Sequence, residues 1–168
     1  YKRQPKLSTF NGLPGEYKIG ALYSTADAND VGTAGKEHSG KHSFWINTQQ
    51  QLTQRENDPK RGLFLSFNGV LNDKATTTVQ STQQIAVWYK GVFDSRPNDS
   101  IGFGLANYLV NDRARDRQIA TNESRGYYEY DAFATNYIPI QRDELNVELN
   151  YTYQWSPAVM LRPNIQYI

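Results

Sequence analysis

Cysteine is absent from the 168 residues. That excludes a disulfide scaffold and thiol catalysis. An excess of charge of one sign is missing too: 18 Lys and Arg stand against 17 Asp and Glu, a net +1. A general nucleic-acid surface needs a clear basic excess, so no nucleic-acid partner is expected. Long hydrophobic runs are also missing. No stretch approaches the ~18 apolar residues of a membrane-spanning helix; the hydrophobic fraction is 38% and the mean hydropathy -0.72. Low mean hydropathy leaves a transmembrane β-barrel open, because half of each of its strands faces water. No initiator Met or signal peptide precedes Tyr1-Lys2-Arg3. A secreted precursor would have lost its signal, and this start reads as the interior of a longer chain.

What is present is strict alternation. From Arg142 to Trp155, Leu145, Val147, Leu149, Tyr151, Tyr153 and Trp155 alternate with Glu144, Asn146, Glu148, Asn150, Thr152 and Gln154. A strand sends successive side chains to opposite faces. One face here is apolar and ends in aromatic rings; the other is carboxylate and amide. Twelve Tyr, seven Phe and three Trp supply rings for interfacial girdles. Repeated strands of this kind point to an all-β, antiparallel transmembrane barrel, apolar towards lipid and polar towards a lumen.

The pattern divides the chain into seven strands. They span 16–24, 42–54, 61–72, 79–93, 100–111, 142–155 and 159–168, and residues 1–10 could end an earlier strand. Short turns are expected at 11–15, 55–60, 94–99 and 156–158, where Gly, Pro, Asn and Asp collect. A Gly/Asp/Ser-rich loop is expected at 26–40, an intermediate connection at 73–78 and a long polar loop at 112–141. Short and long connections then alternate, as in a barrel with tight periplasmic turns and long outside loops. No helical period of appreciable length appears.

Several segments, taken in order, resemble the OprB-type carbohydrate-selective porins of Gram-negative outer membranes. They are Leu13-Pro14-Gly15-Glu16-Tyr17-Lys18-Ile19-Gly20, His38-Ser39-Gly40, Asp58-Pro59-Lys60-Arg61-Gly62-Leu63-Phe64-Leu65, Tyr89-Lys90-Gly91, Arg96-Pro97-Asn98-Asp99-Ser100-Ile101-Gly102-Phe103-Gly104, and 144–167 ending Leu161-Arg162-Pro163-Asn164-Ile165-Gln166-Tyr167. The resemblance implies a barrel of about sixteen strands carrying glucose-like sugars, to which this chain adds about seven to eight. It also implies that the 168 residues form one barrel domain, an incomplete C-terminal part of a larger barrel. An open sheet cannot stand in a bilayer with unsatisfied edges, so further strands or another chain must close it.

A sugar pathway needs hydrogen-bonding groups and ring faces. The alternation places Lys18, Trp45, Asn47, Gln49, Trp88, Lys90, Glu144, Glu148, Arg162 and Asn164 on the inner face as pore-lining and sugar-contact candidates. The same residues also serve as an ordinary lumen wall held by cross-strand pairs. Trp45 and Trp88 are the more pointed candidates, although an inward Trp also fills space. Catalysis is not expected. Glu144 and Glu148 lie ~13 Å apart along one strand, too far for a glycosidase pair. Glu37, His38 and His42 are a thin basis for a metal and read as solvated loop residues. No cofactor is called for. The Arg-rich stretch 113–125 reads as a solvated loop that could meet lipopolysaccharide phosphates. Sugars in transit, outer-membrane lipid and lipopolysaccharide are the expected partners, and a homo-oligomer stays open. Two rival readings also stay open. One is a closed eight-stranded outer-membrane barrel acting as adhesin, anchor or lipid-modifying enzyme. The other is a soluble lipocalin-like binder, whose apolar face would line the cavity.

Overall fold

A computed structural model describes residues 12–55 and 58–168. Residues 1–10, Asn11 in the first turn and residues 56–57 in the second lie outside the described residues. The chain forms one antiparallel sheet, β1 (Gly15–Asn29), β2 (Glu37–Gln51), β3 (Gly62–Asn72), β4 (Val79–Lys90), β5 (Ser100–Val110) and β6 (Glu144–Ser156), each paired with the next in sequence. β7 (Val159–Leu161) and β8 (Asn164–Tyr167) both pair β6. Tyr153 faces Leu161 and Asn150 faces Asn164, so β7 and β8 continue one register on β6. The strand expected at 159–168 is therefore a single ladder interrupted at Arg162-Pro163. Proline has no N–H to give the ladder, and there its carbonyl accepts from the Tyr151 N–H at 3.1 Å.

Several strand boundaries move. β1 continues past Ser24 through a bulge between Ser24 and Asp27, and β2 begins at Glu37. The connection between them is therefore 30–36, and the fifteen-residue loop is not formed. The connection 52–61 is longer than 30–36, and 91–99 is longer than 73–78, so the expected alternation of short and long connections fails in the first four. It holds only for the last two: 111–143 is long, and 157–158 is a two-residue turn. The fourth strand ends at Lys90, because Gly91 turns the chain with a positive φ of 72°.

The long connection contains α1 (Asp112–Ser124) and a one-turn 3-10 helix at Glu129–Asp131, where the sequence pattern indicated loop. α1 is polar nearly all round, with only Ala114 and Asn122 buried, so it carries no apolar stripe to betray its period. It starts on a capped turn: the Asn111 side chain accepts from the Arg113 N–H at 3.1 Å.

The ladder registers assign the two faces. One outward row runs Tyr17, Thr48, Phe67, Ile85, Leu105, Val147 and Tyr167. The next runs Gln50, Leu65, Val87, Phe103, Leu149 and Ile165. This face is bare: Ile19 is 67% exposed, Leu71 61% and Leu149 52%. Among the described residues only Val110 and Ala114 are buried hydrophobic side chains. The sheet thus has no apolar core, and its apolar surface faces outwards, as lipid requires. Strands of 11–15 residues in β1 to β6 are long enough to cross a bilayer when tilted. No helix among the described residues is long and apolar enough to do so.

Candidate functional site: the concave polar face

The inward rows follow from the same registers. Lys18, Asn47, Asn68, Gln84, Ala106 and Asn146 form one. Glu16, Gln49, Ser66, Ala86, Gly104, Glu148 and Gln166 form the next, and Gln51, Phe64, Trp88, Gly102, Asn150 and Asn164 the one after. Trp45 stands level with Glu144 across the sheet, and Lys90 level with Ser100 and Thr152. All ten candidates except Arg162 are thereby placed on one face by register. Arg162 lies in the ladder break and reaches that face by donating from Nε to Thr152 Oγ1 at 3.1 Å.

A trough of about 570 Å³ occupies this face over β3 to β6 and β8. Of the candidates, Trp88, Glu148 and Arg162 line it. Lys18, Trp45, Asn47, Gln49, Lys90, Glu144 and Asn164 share the face but do not line the trough. Lys18 is engaged by Glu16 at 2.7 Å. Trp45 lies across Gly20, where a Cβ would come within 2.4 Å of the indole. The lining that the candidate set left out includes Asn68, Gln84, Tyr108, Asn146, Asn150 and Gln166. All six fall on the inward face by alternation: five are amides, and Tyr108 follows Gly102, Gly104 and Ala106 along β5, level with Thr82 and Glu144.

The wall is cross-linked by amides. Asn47 donates to Asn68 Oδ1 at 2.5 Å, Asn68 to Gln84 Oε1 at 3.4 Å, and Gln84 to the Tyr108 hydroxyl at 3.4 Å. Across the trough, both Glu148 oxygens accept, from Asn150 Nδ2 at 2.9 Å and Gln166 Nε2 at 2.7 Å. Trp88 stacks on Phe64, centroids 5.4 Å apart and planes 8° from parallel.

Charged networks brace both ends. At the α1 end, buried Asp30 accepts from both the Gly32 and Thr33 N–H groups and from Arg113 Nη2, at 2.8–2.9 Å. His38 Nε2 stands 2.7 Å from its other oxygen. The His38 contact, opposed by burial and reinforced by the backbone amides and Arg113, holds this carboxyl below the usual range. Arg117 donates to the Asp30 carbonyl at 3.2 Å. His38 and His42 are both strand residues: His38 is spent on Asp30, which corrects its solvated-loop reading, while His42 stays exposed, edge-on to Phe44. Arg113 and Arg117 likewise sit on a helix and pin it to Asp30. Both stay exposed, but on a helix rather than a loop, and there they serve Asp30, because a buried carboxylate without cationic partners is costly. At the other end, Asp99 accepts from Arg96 at 2.9 and 3.1 Å, from the Tyr151 hydroxyl at 2.5 Å and from the Gln154 N–H at 3.0 Å. Arg96 above all, and then Tyr151 and the Gln154 amide against burial, bring its pKa down to about 2.

Residues 4–168 match the family described as carbohydrate-selective porin, OprB family. The chain belongs to the OprB family. It is 82% identical over 165 residues to the protein named as porin QuiX in Acinetobacter baylyi, and 42% identical over 177 residues to Porin B of Pseudomonas aeruginosa. Each alignment covers 98% of this chain and 38% of the relative, so the chain spans well under half the length of the relatives it matches. The high-pH structure of Pseudomonas putida OprB superposes with a TM-score of 0.89 at 43% identity, over 99% of this chain and 41% of that one. The low-pH structure of that protein gives 0.62 at 32% identity, over 99% of this chain and 39% of that one. Membership in the OprB family sets aside the small closed barrel. The concave face, polar rather than apolar, sets aside the soluble binder. The family is one of porins, and membership places the chain in the Gram-negative outer membrane.

Proposed function

We propose that this chain supplies part of the lumen wall of an outer-membrane barrel through which carbohydrates diffuse, and that the 168 residues fold as one portion of that single barrel domain. The observation that carries the reading is the inversion of the sheet: amides, carboxylates and indoles on the concave face, bare aliphatic and aromatic side chains on the convex one. A sugar entering the trough exchanges water for wall amides and carboxylates, which donate to and accept from its hydroxyls. Neighbouring groups of both kinds along each row keep any one contact replaceable, and flux requires such weak, multiple binding. Lipid covers the convex face. Lipopolysaccharide phosphates meet the cations of the α1 end that are not spent on Asp30.

The test is single-channel conductance of the full-length porin in a planar bilayer, titrated with glucose. Discrete steps that fall saturably with glucose are expected. Steps indifferent to sugars would make it a general porin, and an absence of steps from verified folded protein would refute the channel reading.

A further inference from the structure

After α1 the chain runs from Arg125 to Arg142 beyond the ends of β5 and β6 before it re-enters the sheet. This segment is braced. Buried Asn122 clamps it: its Nδ2 donates to the Ile138 carbonyl at 2.8 Å, and its Oδ1 accepts from the Ile138 N–H at 2.9 Å. Gln118 adds a second clamp, its Oε1 accepting from the Gln141 N–H at 2.9 Å. Asp131 closes the 3-10 turn by accepting from the Tyr128 N–H at 2.9 Å. Every one of these bonds lies inside the connection 111–143. Among the described residues, no hydrogen bond or ion pair ties 125–142 to the connections 30–36 and 73–78 at the same end of the sheet.

The braced segment turns its rings to water. Phe133 is fully exposed, Tyr130 80% and Tyr128 50%. Tyr128 and Tyr130 stack with centroids 5.6 Å apart and so present one surface. Residues interleaved with these rings line a cavity of about 340 Å³: Ala132, Tyr137, Pro139 and Ile140, with Glu129 and Arg142 beside them. An exposed apolar patch rimmed by polar groups marks a contact surface. Rings held on a rigid frame lose little freedom when they dock. The convex face meets lipid, but this platform stands beyond the strands that cross the membrane.

Charge narrows the occupant. Arg142, the cation beside the rings, donates to Glu129 at 2.7 Å, and Asp131 adds a second carboxylate. Such a surface gives lipopolysaccharide phosphates nothing to pair with. Length narrows it further. The chain spans 38% of each relative, so most of such a porin lies outside the matched part. The high-pH structure of Pseudomonas putida OprB aligns with 99% of this chain, the connection included, and this chain covers only 41% of it. In that structure the aligned connection stands in a molecule that also holds the remaining barrel.

We propose that the platform of Tyr128, Tyr130 and Phe133, with the cavity at Tyr137 and Ile140, docks an apolar surface of the same porin outside these 168 residues, and so joins this portion of the barrel mouth to the rest. This rests on the reading of the chain as one portion of a single barrel, and adds the surface by which the portions meet beyond the membrane. Apolar side chains of the other portion cover the rings, and one of them enters the cavity.

The test uses the full-length porin in outer-membrane vesicles. Phe133 and, separately, Tyr130 are replaced by the photo-crosslinking residue p-benzoylphenylalanine, with the same replacement at exposed Ala34 of the 30–36 connection as control. Heat-modifiable gel mobility and single-channel conductance are read before irradiation. A wild-type porin with no folded barrel removes the barrel reading, and the docking with it. In folded variants the expected product is an internal cross-link at monomer mobility, its peptide mapping outside residues 1–168, at about tenfold or more the yield at Ala34. Adducts between two copies would assign the platform to a homo-oligomer, and adducts with lipopolysaccharide to the lipid; either overturns the proposal and leaves the barrel standing. Cross-links confined to residues 1–168, a yield no higher than at Ala34, or no adduct at both positions overturn it equally. Should one variant fail to fold, the other decides the matter alone.

Discussion

Asn111 is 1% exposed and makes three side-chain hydrogen bonds that join two connections at the α1 end. Its Oδ1 accepts from the Arg113 N–H at 3.1 Å, and its Nδ2 donates to the Lys74 and Thr77 carbonyls at 2.7 and 2.8 Å. Replacing it with Ala removes the N-cap, worth about 1 kcal/mol. It also leaves two carbonyls without their donor at about 1 kcal/mol each, so the total is about 3 kcal/mol. A helix of 13 residues is marginal by itself, so this loss falls on α1 rather than on the sheet. The opening equilibrium of α1 should shift roughly a hundredfold. Hydrogen exchange of the α1 amides, read in the folded barrel, measures it. Asn111→Asp is the decisive variant. Asp caps a helix as well as Asn does, yet its carboxylate cannot donate to either carbonyl and repels both. If only the cap matters, Asn111→Asp matches wild type. The structure requires it to be at least as disruptive as Asn111→Ala. Wild-type protection in Asn111→Asp would refute the reasoning.

Acid should loosen the opposite end. The Asp99 pKa of about 2 lies below the ~4 of an unfolded Asp. Its stabilising contribution is therefore complete above about pH 4 and is lost as pH falls towards 2. Asp30, also depressed, acts in the same direction. Acid-unfolding curves should show this, and Asp99→Asn should flatten them in that window. Leu149→Arg places a charge on the convex face and should cost about 2–4 kcal/mol in urea unfolding from lipid. The adjacent Asn150→Arg points into the trough, and its effect should appear in ion selectivity of the full-length porin rather than in unfolding. Gly91→Ala puts a Cβ 2.4 Å from Arg61 Nε and 2.9 Å from the Pro97 carbonyl at a φ of 72°. It should destabilise the 91–99 turn by about 1–3 kcal/mol, measured by the same unfolding.

The fold was legible where one physical rule acts alone. A strand between lipid and water has only its period of two to obey, so Leu145 to Trp155 announces both its faces. The rule fails where other forces enter. Around Ser24 to Asp27 a bulge shifts the register, and Gly, Asp and Ser residues that usually mark a loop continue the ladder to Asn29. At α1 the helix is held by its cap and by Arg113 and Arg117 on a single buried Asp30, eighty-odd residues away. No local window contains both ends of such a bond. Asn111-Asp112 followed by residues of good helix propensity was the one signal available there.

The site was legible by face and illegible by depth. Alternation tells which side a residue faces; it does not tell which inward residues border open space. Lys18 and Glu148 are equivalent by pattern, yet Lys18 closes on Glu16 while Glu148 borders the trough. What separates them is the size of their neighbours across the ladder, and ladder neighbours are fixed by register between strands far apart in sequence. The trough exists because Ala86 of β4 meets Gly104 of β5 beside Gly102 and Ala106. Sequence reading weighs functional groups, and these residues bring none. A search of a porin wall should therefore start from inward glycines whose backbone angles and surroundings would admit a side chain. Where such a residue borders the lumen, the rings and amides beside it are the ones placed to meet a solute.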